Sequence, residues 1–411
     1  MYLTQLGLTN FRSYQFADIS LAPGANTFIG PNGVGKTNLV EAIQYLASLS
    51  SHRVATDLPL IRAGCQVATI TAKLKAGLDD DRSLSVAIDI KDGKANKAIL
   101  NKAPIQPRQL LGAARTVLFA PEDLAIIRGD PAERRRFIDT LITSRWPRLA
   151  GVRAEYERAL KQKTAIVKSL SGRSPRPVGS GAEQALEVWN QALVQLGSQV
   201  VAARLRTLAD LAPLIAAHYD TIATTTSLAQ AVYQSSAGEL GSDPDEIAAS
   251  LTQAMLARAQ DEIARGVCLV GPHRDNILLK LGPLSVKDYA SHGEAWSFAL
   301  ALKLSSLSLL IDDGVEPILI LDDVFAELDT DRRYQVLAAM DLVDQTLITA
   351  AVAQDLPTQL SGQVFKVEWS SIPVVLESNP NPADADARLG DAIDHQKQAT
   401  SKVTQIGWDQ V

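Results

Sequence analysis

The chain contains little cysteine and few aromatic residues. Of its 411 residues only Cys65 and Cys268 are cysteines, and aromatic residues make up 5%. Two cysteines cannot form a disulfide framework, so the fold must depend on its apolar core and suits the reducing cytoplasm. A chain of this length can bury such a core in about two or three domains without cross-links.

Long apolar runs and a leader-like N-terminus are also missing. No window reaches the roughly 18 uninterrupted apolar residues that span a bilayer, and the first residues lack a basic segment followed by an apolar run. The sequence therefore predicts a cytoplasmic protein with no membrane partner. Taken alone, the formal net charge of -6 at pH 7 also disfavours a nucleic-acid partner.

Hydrophobic periodicity divides the chain into strand-rich and helix-rich parts. Short alternating runs predict strands before residue 30 and a small antiparallel sheet over residues 67–104. Residues 131–223 read as long helices, broken once by a loop rich in Pro, Gly and Ser at 171–183. Alternation of strands and helices resumes near residue 266, and residues 371–411 read as a mobile tail.

A glycine-rich loop is the strongest motif. GPNGVGKT at residues 30–37 fits G-x-x-x-x-G-K-[ST] and lies between a predicted strand and a predicted helix. Backbone N–H groups of such a loop surround the β-phosphate of ATP, Lys36 reaches the β- and γ-phosphates, and the Thr37 hydroxyl binds Mg²⁺. The predicted ATP-binding residues are Gly30, Pro31, Asn32, Gly33, Val34, Gly35, Lys36 and Thr37.

Two aspartates follow an aliphatic run further along the chain. PILIL at residues 317–321 predicts a strand buried on both faces, and Asp322 and Asp323 come directly after it. Buried carboxylates need partners, which favours a metal site over an exposed loop. Asp322 is the predicted second Mg²⁺ ligand, directly or through water. Asp323 and Lys36 are the predicted catalytic residues, with Asp323 placed to orient or deprotonate the attacking water.

A third motif precedes a long apolar helix. Ser291, Gly293 and Glu294 form S-x-G-E, in which the serine and the glycine backbone can bind a γ-phosphate at a helix N-terminus. The nucleotide already has a phosphate loop, so this element is most useful when another subunit offers it. The alternative is a simple N-cap with a capping glutamate.

The order of these motifs resembles the ABC-type ATPase heads of the SMC and RecF group. Three further segments resemble the RecF family in particular, and the resemblance extends from residue 1 to about residue 370. These segments are LTNFRSY at 8–14, FAPEDL at 119–124 with RRRFID at 134–139, and GPHRD at 271–275.

The resemblance implies an α/β fold: an ABC-type P-loop ATPase head of mixed sheets and flanking helices, with an inserted α-helical lobe. The head would comprise residues 1–130 and 265–370, the lobe residues 131–264, and the tail residues 371–411. Two heads would dimerise on ATP, with Asp329 at the dimer interface. The implied function is ATP-dependent binding of gapped, single- or double-stranded DNA, with weak DNA-stimulated ATP hydrolysis and with RecO and RecR favouring RecA loading at single-strand gaps.

Two positions depart from the wider ABC pattern. The catalytic carboxylate is usually a glutamate, and the shorter Asp323 predicts slow turnover suited to a switch. The histidine expected after the next strand is absent, which leaves Thr349 as a guess for the γ-phosphate sensor.

The positive charge of the chain is concentrated in one region. Residues 134–176 hold twelve Lys and Arg against three acids, a local net charge of +9. Such a surface contacts phosphates without reading sequence, although ordinary solvated helix charge is the alternative. The predicted DNA-binding residues are Arg134, Arg135, Arg136, Arg145, Arg148, Arg153 and Lys161.

Other P-loop proteins share part of this pattern. The ATPase subunit of an ABC transporter has the same paired-head chemistry but no need of a basic helical insertion. A structural SMC-like clamp would need arms of hundreds of heptad residues. A P-loop kinase would leave Ser291 to Glu294 without a role.

Overall fold

The computed structural model describes residues 1–171, 181–223, 227–241, 243–370 and 400–410. The chain divides into two compact units. Met1–Pro121 and Gly314–Val411 form the first, here called the sheet unit, and Glu122–Asp313 forms the second, the helical unit. In the order of the chain, the helical unit thus separates the two segments of the sheet unit.

Strands of the described residues are numbered along the chain. They are β1 (Tyr2–Phe11), β2 (Tyr14–Ser20), β3 (Gly24–Ile29), β4 (Val67–Gly77), β5 (Asp80–Lys91), β6 (Lys97–Leu100), β7 (Ala103–Ile105), β8 (Thr116–Phe119), β9 (Ala229–Gln234), β10 (Asn276–Leu281), β11 (Leu284–Ser285), β12 (Ile318–Asp322), β13 (Gln345–Ala350), β14 (Gln363–Ser370) and β15 (Thr400–Ile406).

The α-helices are numbered in the same way. They are α1 (Lys36–Ser48), α2 (Leu124–Arg128), α3 (Pro131–Arg145), α4 (Leu149–Leu170), α5 (Ala182–Ile222), α6 (Pro244–Arg265), α7 (Val286–Tyr289), α8 (His292–Asp312) and α9 (Thr330–Met340).

Two sheets build the sheet unit. The first is antiparallel, with strand order β2-β1-β4-β5-β6-β7, and it includes the predicted strands of residues 67–104. The second has the order β15-β14-β3-β13-β12-β8, in which β15 is antiparallel to its neighbour and the others are parallel. Every residue of β12 and β13 is buried, as expected of central parallel strands.

One hydrophobic core joins both sheets to α1. Ile43 of α1 belongs to the same buried cluster as Leu6 of β1 and Ile320 of β12. All residues of α1 from Leu39 to Leu46 are buried. A helix covered on every side lies between layers, which fixes its N-terminus relative to the strands around it.

The helical unit has a core of its own and buried ion pairs. Tyr156 of α4, Leu193 of α5 and Leu251 of α6 share one apolar cluster. Lys163 Nζ lies 2.7 Å from Glu262 Oε2, and both side chains are almost fully buried. Because removing one partner would leave a buried charge unpaired, this pair fixes how α4 and α6 pack.

The compact units divide the chain differently from the predicted domains. Residues 265–313, assigned to the ATPase head, group with the helical region. The reason is the packing of α8 against α5, where the rings of Tyr219 and Phe298 lie 5.7 Å apart and His218 Nε2 is 2.9 Å from the Ser308 hydroxyl. The S-x-G-E motif alone could not show that the following helix, α8, packs against α5.

The prediction of a mobile tail over 371–411 is wrong for its last part. Residues 371–399 lie outside the described residues, but Thr400–Ile406 forms β15 and pairs with β14 along its whole length. The Trp408 indole N–H then donates to Gly362 O at 2.9 Å. The partner strand lies before the undescribed segment, so nothing local in the sequence indicates the pairing.

Helix α8 is long and apolar enough to cross a membrane by length and composition, but 78% of its most apolar window is buried inside the protein. A helix in the core of a folded protein can be as apolar as a membrane-spanning helix. Leu300, Leu304 and Leu307 of α8 are all buried, as in a core helix.

His273 lies inside the helical unit. Its Nδ1 is 2.7 Å from the Tyr156 hydroxyl. Burial is the main cause that lowers the pKa of His273 from 6.5 to about 4. The imidazole is therefore neutral in the folded protein at neutral pH.

This shift predicts that acid destabilises the fold. The unfolded chain binds a proton at His273 near pH 6.5 and the folded protein only near pH 4, so stability falls as the pH falls through this interval. The loss attributable to His273 between pH 7.5 and 5 should be about 2 kcal/mol. Urea unfolding should show a shallower pH dependence for His273→Gln than for the wild type; parallel profiles would contradict the assignment.

Candidate nucleotide-binding site

The predicted phosphate loop connects β3 to α1. Gly33 and Gly35 have φ angles of 85° and 106°, which L side chains rarely adopt. Gly35 is the N-cap of α1 and offers no side-chain cap. The first N–H groups of the helix are thus left to other acceptors, which is the property that phosphate-binding helices share.

Lys36 is buried along this loop. Its ammonium donates to Gly30 O at 2.8 Å, to Pro31 O at 3.3 Å and to Asn32 Oδ1 at 3.4 Å. The acceptors of the loop thereby hold the positive charge at the place where the loop N–H groups would receive phosphate oxygens.

Parallel pairing brings the predicted aspartates to the same edge of the sheet. β13 lies between β3 and β12, and the carboxyl ends of parallel strands meet. Asp322 is 3% exposed, and its Oδ1 accepts a hydrogen bond from Thr37 Oγ1 at 3.1 Å. Two ligands on neighbouring vertices of a Mg²⁺ octahedron, with bonds of about 2.1 Å, are about 3 Å apart. The separation of these oxygens therefore fits a Mg²⁺ site.

Thr349 connects the two aspartates. Its hydroxyl donates to Asp322 Oδ1 at 2.6 Å and accepts from the backbone N–H of Asp323 at 2.9 Å. The single hydroxyl proton is used on Asp322, so Thr349 does not fit the suggested role of γ-phosphate sensor. Its position instead orients the carboxylates.

Asp323 itself has a left-handed backbone with φ 51°. That conformation costs a non-glycine residue about 1 kcal/mol and recurs at functional sites. It is stabilised here by the hydrogen bond to Thr349. The turn ends β12 abruptly and gives the two neighbouring carboxylates different environments, since Asp322 is buried and Asp323 is only half-buried.

Sequence reasoning missed a buried acid behind the loop. Glu41 on α1 is fully buried, and its carboxylate accepts from Arg12 Nε at 2.8 Å and from the Ser51 hydroxyl. The sequence signal that could have identified this buried acid is the position of Glu41 between the apolar residues Val40 and Ala42 of α1. The ion pair fixes the β1–β2 turn against the helix that carries Lys36 and Thr37.

The S-x-G-E residues lie in the helical unit, at the start of α8. Ser291 is its N-cap: the Ser291 hydroxyl accepts from Glu294 N at 3.2 Å, and Glu294 Oε2 accepts from Ser291 N at 2.9 Å. Hydrogen bonds from the backbone and hydroxyl of Ser291 lower the pKa of Glu294. Ser291 and Glu294 therefore form a capping box, with Ser291 itself exposed and Gly293 half-buried.

Asp329 is also a helix cap. Its carboxylate accepts from the backbone N–H of Arg332 at 3.0 Å at the start of α9, and the residue is exposed. An exposed side chain on a fixed turn can meet another molecule, which is compatible with the predicted interface role.

Comparison with known proteins identifies the family. The family model described as RecF/RecN/SMC N terminal domain matches residues 2–364. The DNA replication and repair protein RecF of Cutibacterium acnes is 47% identical over 381 residues, which cover 89% of this chain and 96% of that protein. The chain belongs to the RecF family. A second RecF, from Streptomyces avermitilis, is 47% identical over 373 residues, covering 90% of this chain and 99% of that protein.

Solved structures agree with this fold. A structure of the recombination mediator protein RecF with ATP, from the RecFOR pathway, superposes with a TM-score of 0.79 at 24% identity, covering 89% of this chain and 95% of that chain. An Smc head domain with a coiled coil from Pyrococcus yayanosii gives 0.52 at 14% identity, covering 99% and 98%. The predicted ABC-type ATPase head with a helical insertion is confirmed.

Burial removes two residues from the predicted DNA-binding surface of this RecF-family chain. Arg134 is buried and donates to Asn276 Oδ1, Ile126 O and Gly129 O. Arg145 is also buried and pairs with Asp313 at 2.6 Å and with Asp210 at 2.8 Å. Placing these two residues in contact with DNA was wrong, because their guanidinium groups satisfy internal acceptors.

The remaining basic residues are at least partly accessible. Arg135 is half-buried and donates to Asp275 O at 2.8 Å. Arg136 and Arg153 form surface ion pairs with Glu133 and Glu157, which are weak in water. Arg148 and Lys161 are exposed.

The bridging role of Thr349 leads to a stability prediction. Thr349→Val keeps the shape but leaves Asp322 with fewer donors and the Asp323 N–H without its acceptor, so the free energy of unfolding should fall by about 2–3 kcal/mol. Thr349→Ser retains the hydroxyl and should cost about 1 kcal/mol or less. Urea unfolding of both variants measures the difference, and equal losses would show that the hydroxyl does not matter.

Proposed function

We propose that this protein is an ATP-switched DNA-binding protein of replication and recombinational gap repair. It binds Mg²⁺-ATP at the phosphate loop, dimerises on ATP, and resets by slow hydrolysis. In this role it helps RecO and RecR to load RecA on single-strand gaps. The names of the relatives, DNA replication and repair protein RecF and a mediator of the RecFOR pathway, support this assignment.

The observation that carries the proposal is the pair of oxygens from Thr37 and Asp322, 3.1 Å apart, beside the loop that holds Lys36. Phosphate oxygens would complete the coordination of a metal held by so few protein ligands, as is usual for Mg²⁺. The loop N–H groups and Lys36 bind the phosphates themselves.

Hydrolysis needs a water held in line with the γ-phosphate. Bound Mg²⁺ would neutralise charge that develops on the phosphate oxygens. Asp323 orients that water, and its position is set by the Thr349 hydrogen bond and the left-handed turn. Its short side chain reaches less far than a glutamate, which suits a protein whose ATP-bound state must persist.

Dimerisation would complete the site. Ser291 is exposed at the N-terminus of α8, and a helix N-terminus favours an anion. In the proposed dimer each α8 start, with Ser291, Gly293 and Glu294, faces the γ-phosphate bound by the partner, and Asp329 lies at the contact. The γ-phosphate of ATP then contacts both subunits, and ADP has no γ-phosphate to make this contact.

The DNA-binding surface is proposed to lie on the accessible basic residues of α3 and α4. They are Arg135, Arg136, Arg148, Arg153 and Lys161. Side chains of this kind neutralise phosphates of gapped, single- or double-stranded DNA without reading sequence, so binding depends strongly on salt.

Light scattering of the purified protein with ATP, ADP or no nucleotide tests the switch. We expect a dimer only with ATP. Lys36→Met should remain monomeric because it does not bind ATP. Ser291→Arg should bind ATP with wild-type affinity but remain monomeric, because the added side chain blocks the approach of the partner phosphate.

Ser291→Thr is the matched control, because threonine also caps helices. It should dimerise like the wild type or nearly so. A wild-type protein that stays monomeric in ATP at concentrations well above its ATP dissociation constant would rule out the switch.

DNA binding is tested by replacing two accessible basic residues. Arg148→Gln/Lys161→Gln should weaken binding and reduce the slope of log affinity against log salt by about 2, since each lost phosphate contact contributes about 0.9. Arg258→Gln/Arg265→Gln, on exposed positions of α6, makes the same charge change elsewhere. Equal effects of the two double variants would indicate that only net charge matters.

A further inference from the structure

Strand β15 reaches the back of the phosphate loop. The strand begins with Thr400 and Ser401, and the Ser401 side chain is 1% exposed. The Ser401 backbone N–H and the Thr400 hydroxyl both donate to Ser13 O, at 3.2 Å and 3.1 Å. The Thr400 hydroxyl also accepts from Gln15 N at 2.9 Å. The start of β15 is therefore fixed to the turn between β1 and β2.

The Ser401 hydroxyl extends this attachment to the loop. Its Oγ lies 2.6 Å from Val34 O and 2.7 Å from Ser13 Oγ. A carbonyl can only accept, so the single hydroxyl proton of Ser401 goes to Val34, and Ser13 donates to Ser401.

The donor chain continues into α1. Asn38 Nδ2 donates to Ser13 Oγ at 2.8 Å, and the orientation of the amide is set by Arg53, which donates to Asn38 Oδ1 at 3.2 Å. Hydrogen bonds thus run in one direction from Asn38 through Ser13 and Ser401 to Val34. Chains of this kind strengthen each member.

This series of hydrogen bonds fixes the direction of a peptide unit in the phosphate loop. In a trans peptide the C=O and the next N–H point in opposite directions. Holding Val34 O from behind directs the Gly35 N–H to the opposite side. Tyr14 does the same for the next unit, since its hydroxyl donates to Gly35 O at 3.0 Å. The N–H groups of Gly35 and Lys36 therefore point away from the hydroxyls of Ser401 and Tyr14, respectively.

The space behind the loop leaves no room for a side chain at Gly35. A Cβ at Gly35 would lie 2.6 Å from both Ser13 Oγ and Ser401 Oγ. The two hydroxyls therefore pack directly on the Gly35 backbone. Their contact with glycine is as much a part of the loop geometry as the positive φ of that residue.

We propose that Ser401 is a positioning residue of the nucleotide site, which aims the loop N–H groups at the phosphates from a strand near the C-terminal end of the described chain. The inference rests on the proposed ATP binding and adds to it the requirement for β15. Because these N–H groups serve the β-phosphate, ATP and ADP depend on Ser401 equally.

Titration calorimetry of the full-length chain tests the role of Ser401. Ser401→Ala should raise the dissociation constants of ATP and ADP by the same factor, about tenfold, as expected for one lost positioning hydrogen bond. The control is Thr404→Ala, an exposed residue of the same strand, which should leave both constants unchanged. A merely structural role would lower the melting temperature of the nucleotide-free protein but leave the affinity of its folded fraction as it was.

A second variant covers the case in which Ser401→Ala does not fold. Ser13→Ala removes the donor to Ser401 but keeps the bond to Val34, and should weaken both nucleotides about threefold. In the double variant, the losses of nucleotide-binding free energy should be less than additive, because Ser13 and Ser401 act through the same series of hydrogen bonds. Unchanged ATP and ADP affinity in either single variant would overturn the role of Ser401. Failure of the wild type to bind ATP would instead overturn the proposed function.

Discussion

A buried carboxylate controls the arrangement of this site. Asp322 ends β12 almost out of contact with water, and an ionised group in that position is costly unless hydrogen-bonded. The same oxygen accepts from Thr37 at the start of α1 and from Thr349 of β13. Asp322 and Thr349 are paired in the register of the parallel sheet. A slip by one residue would therefore remove the donor as well as misplace the side chains.

Local motifs made the core of the site predictable. The glycine loop and the aliphatic run before Asp322 depend on residues close in sequence, and both lie where the sequence indicated. The partners of these elements were not predictable in the same way. Thr349 lies 27 residues after Asp322, too far for a local pattern to reveal their contact. The contribution of Ser401 likewise depends on a strand separated from β14 by many residues.

The basic region shows a different limit. Counting charges locates an excess of Lys and Arg but does not show where each side chain points. Arg134 and Arg145 lie on the same helix, α3, as the exposed Arg136, yet their acceptors, such as Asn276 and Asp313, come from much later in the chain. For α8, the sequence likewise predicted a long apolar helix but did not show that it packs against α5.

The strand order of the second sheet also governs when the site can form during synthesis. β3, near the start of the chain, has β13 and β14 as its neighbours. A ribosome adds about 5–20 residues per second, so β3 waits on the order of 15–60 s for both strands to emerge. Throughout that time its apolar face and unpaired backbone are a hazard for misassociation. The nucleotide pocket is therefore among the last features to form on the growing chain, and a translation product that stops before β13 lacks a neighbour that β3 needs to form it.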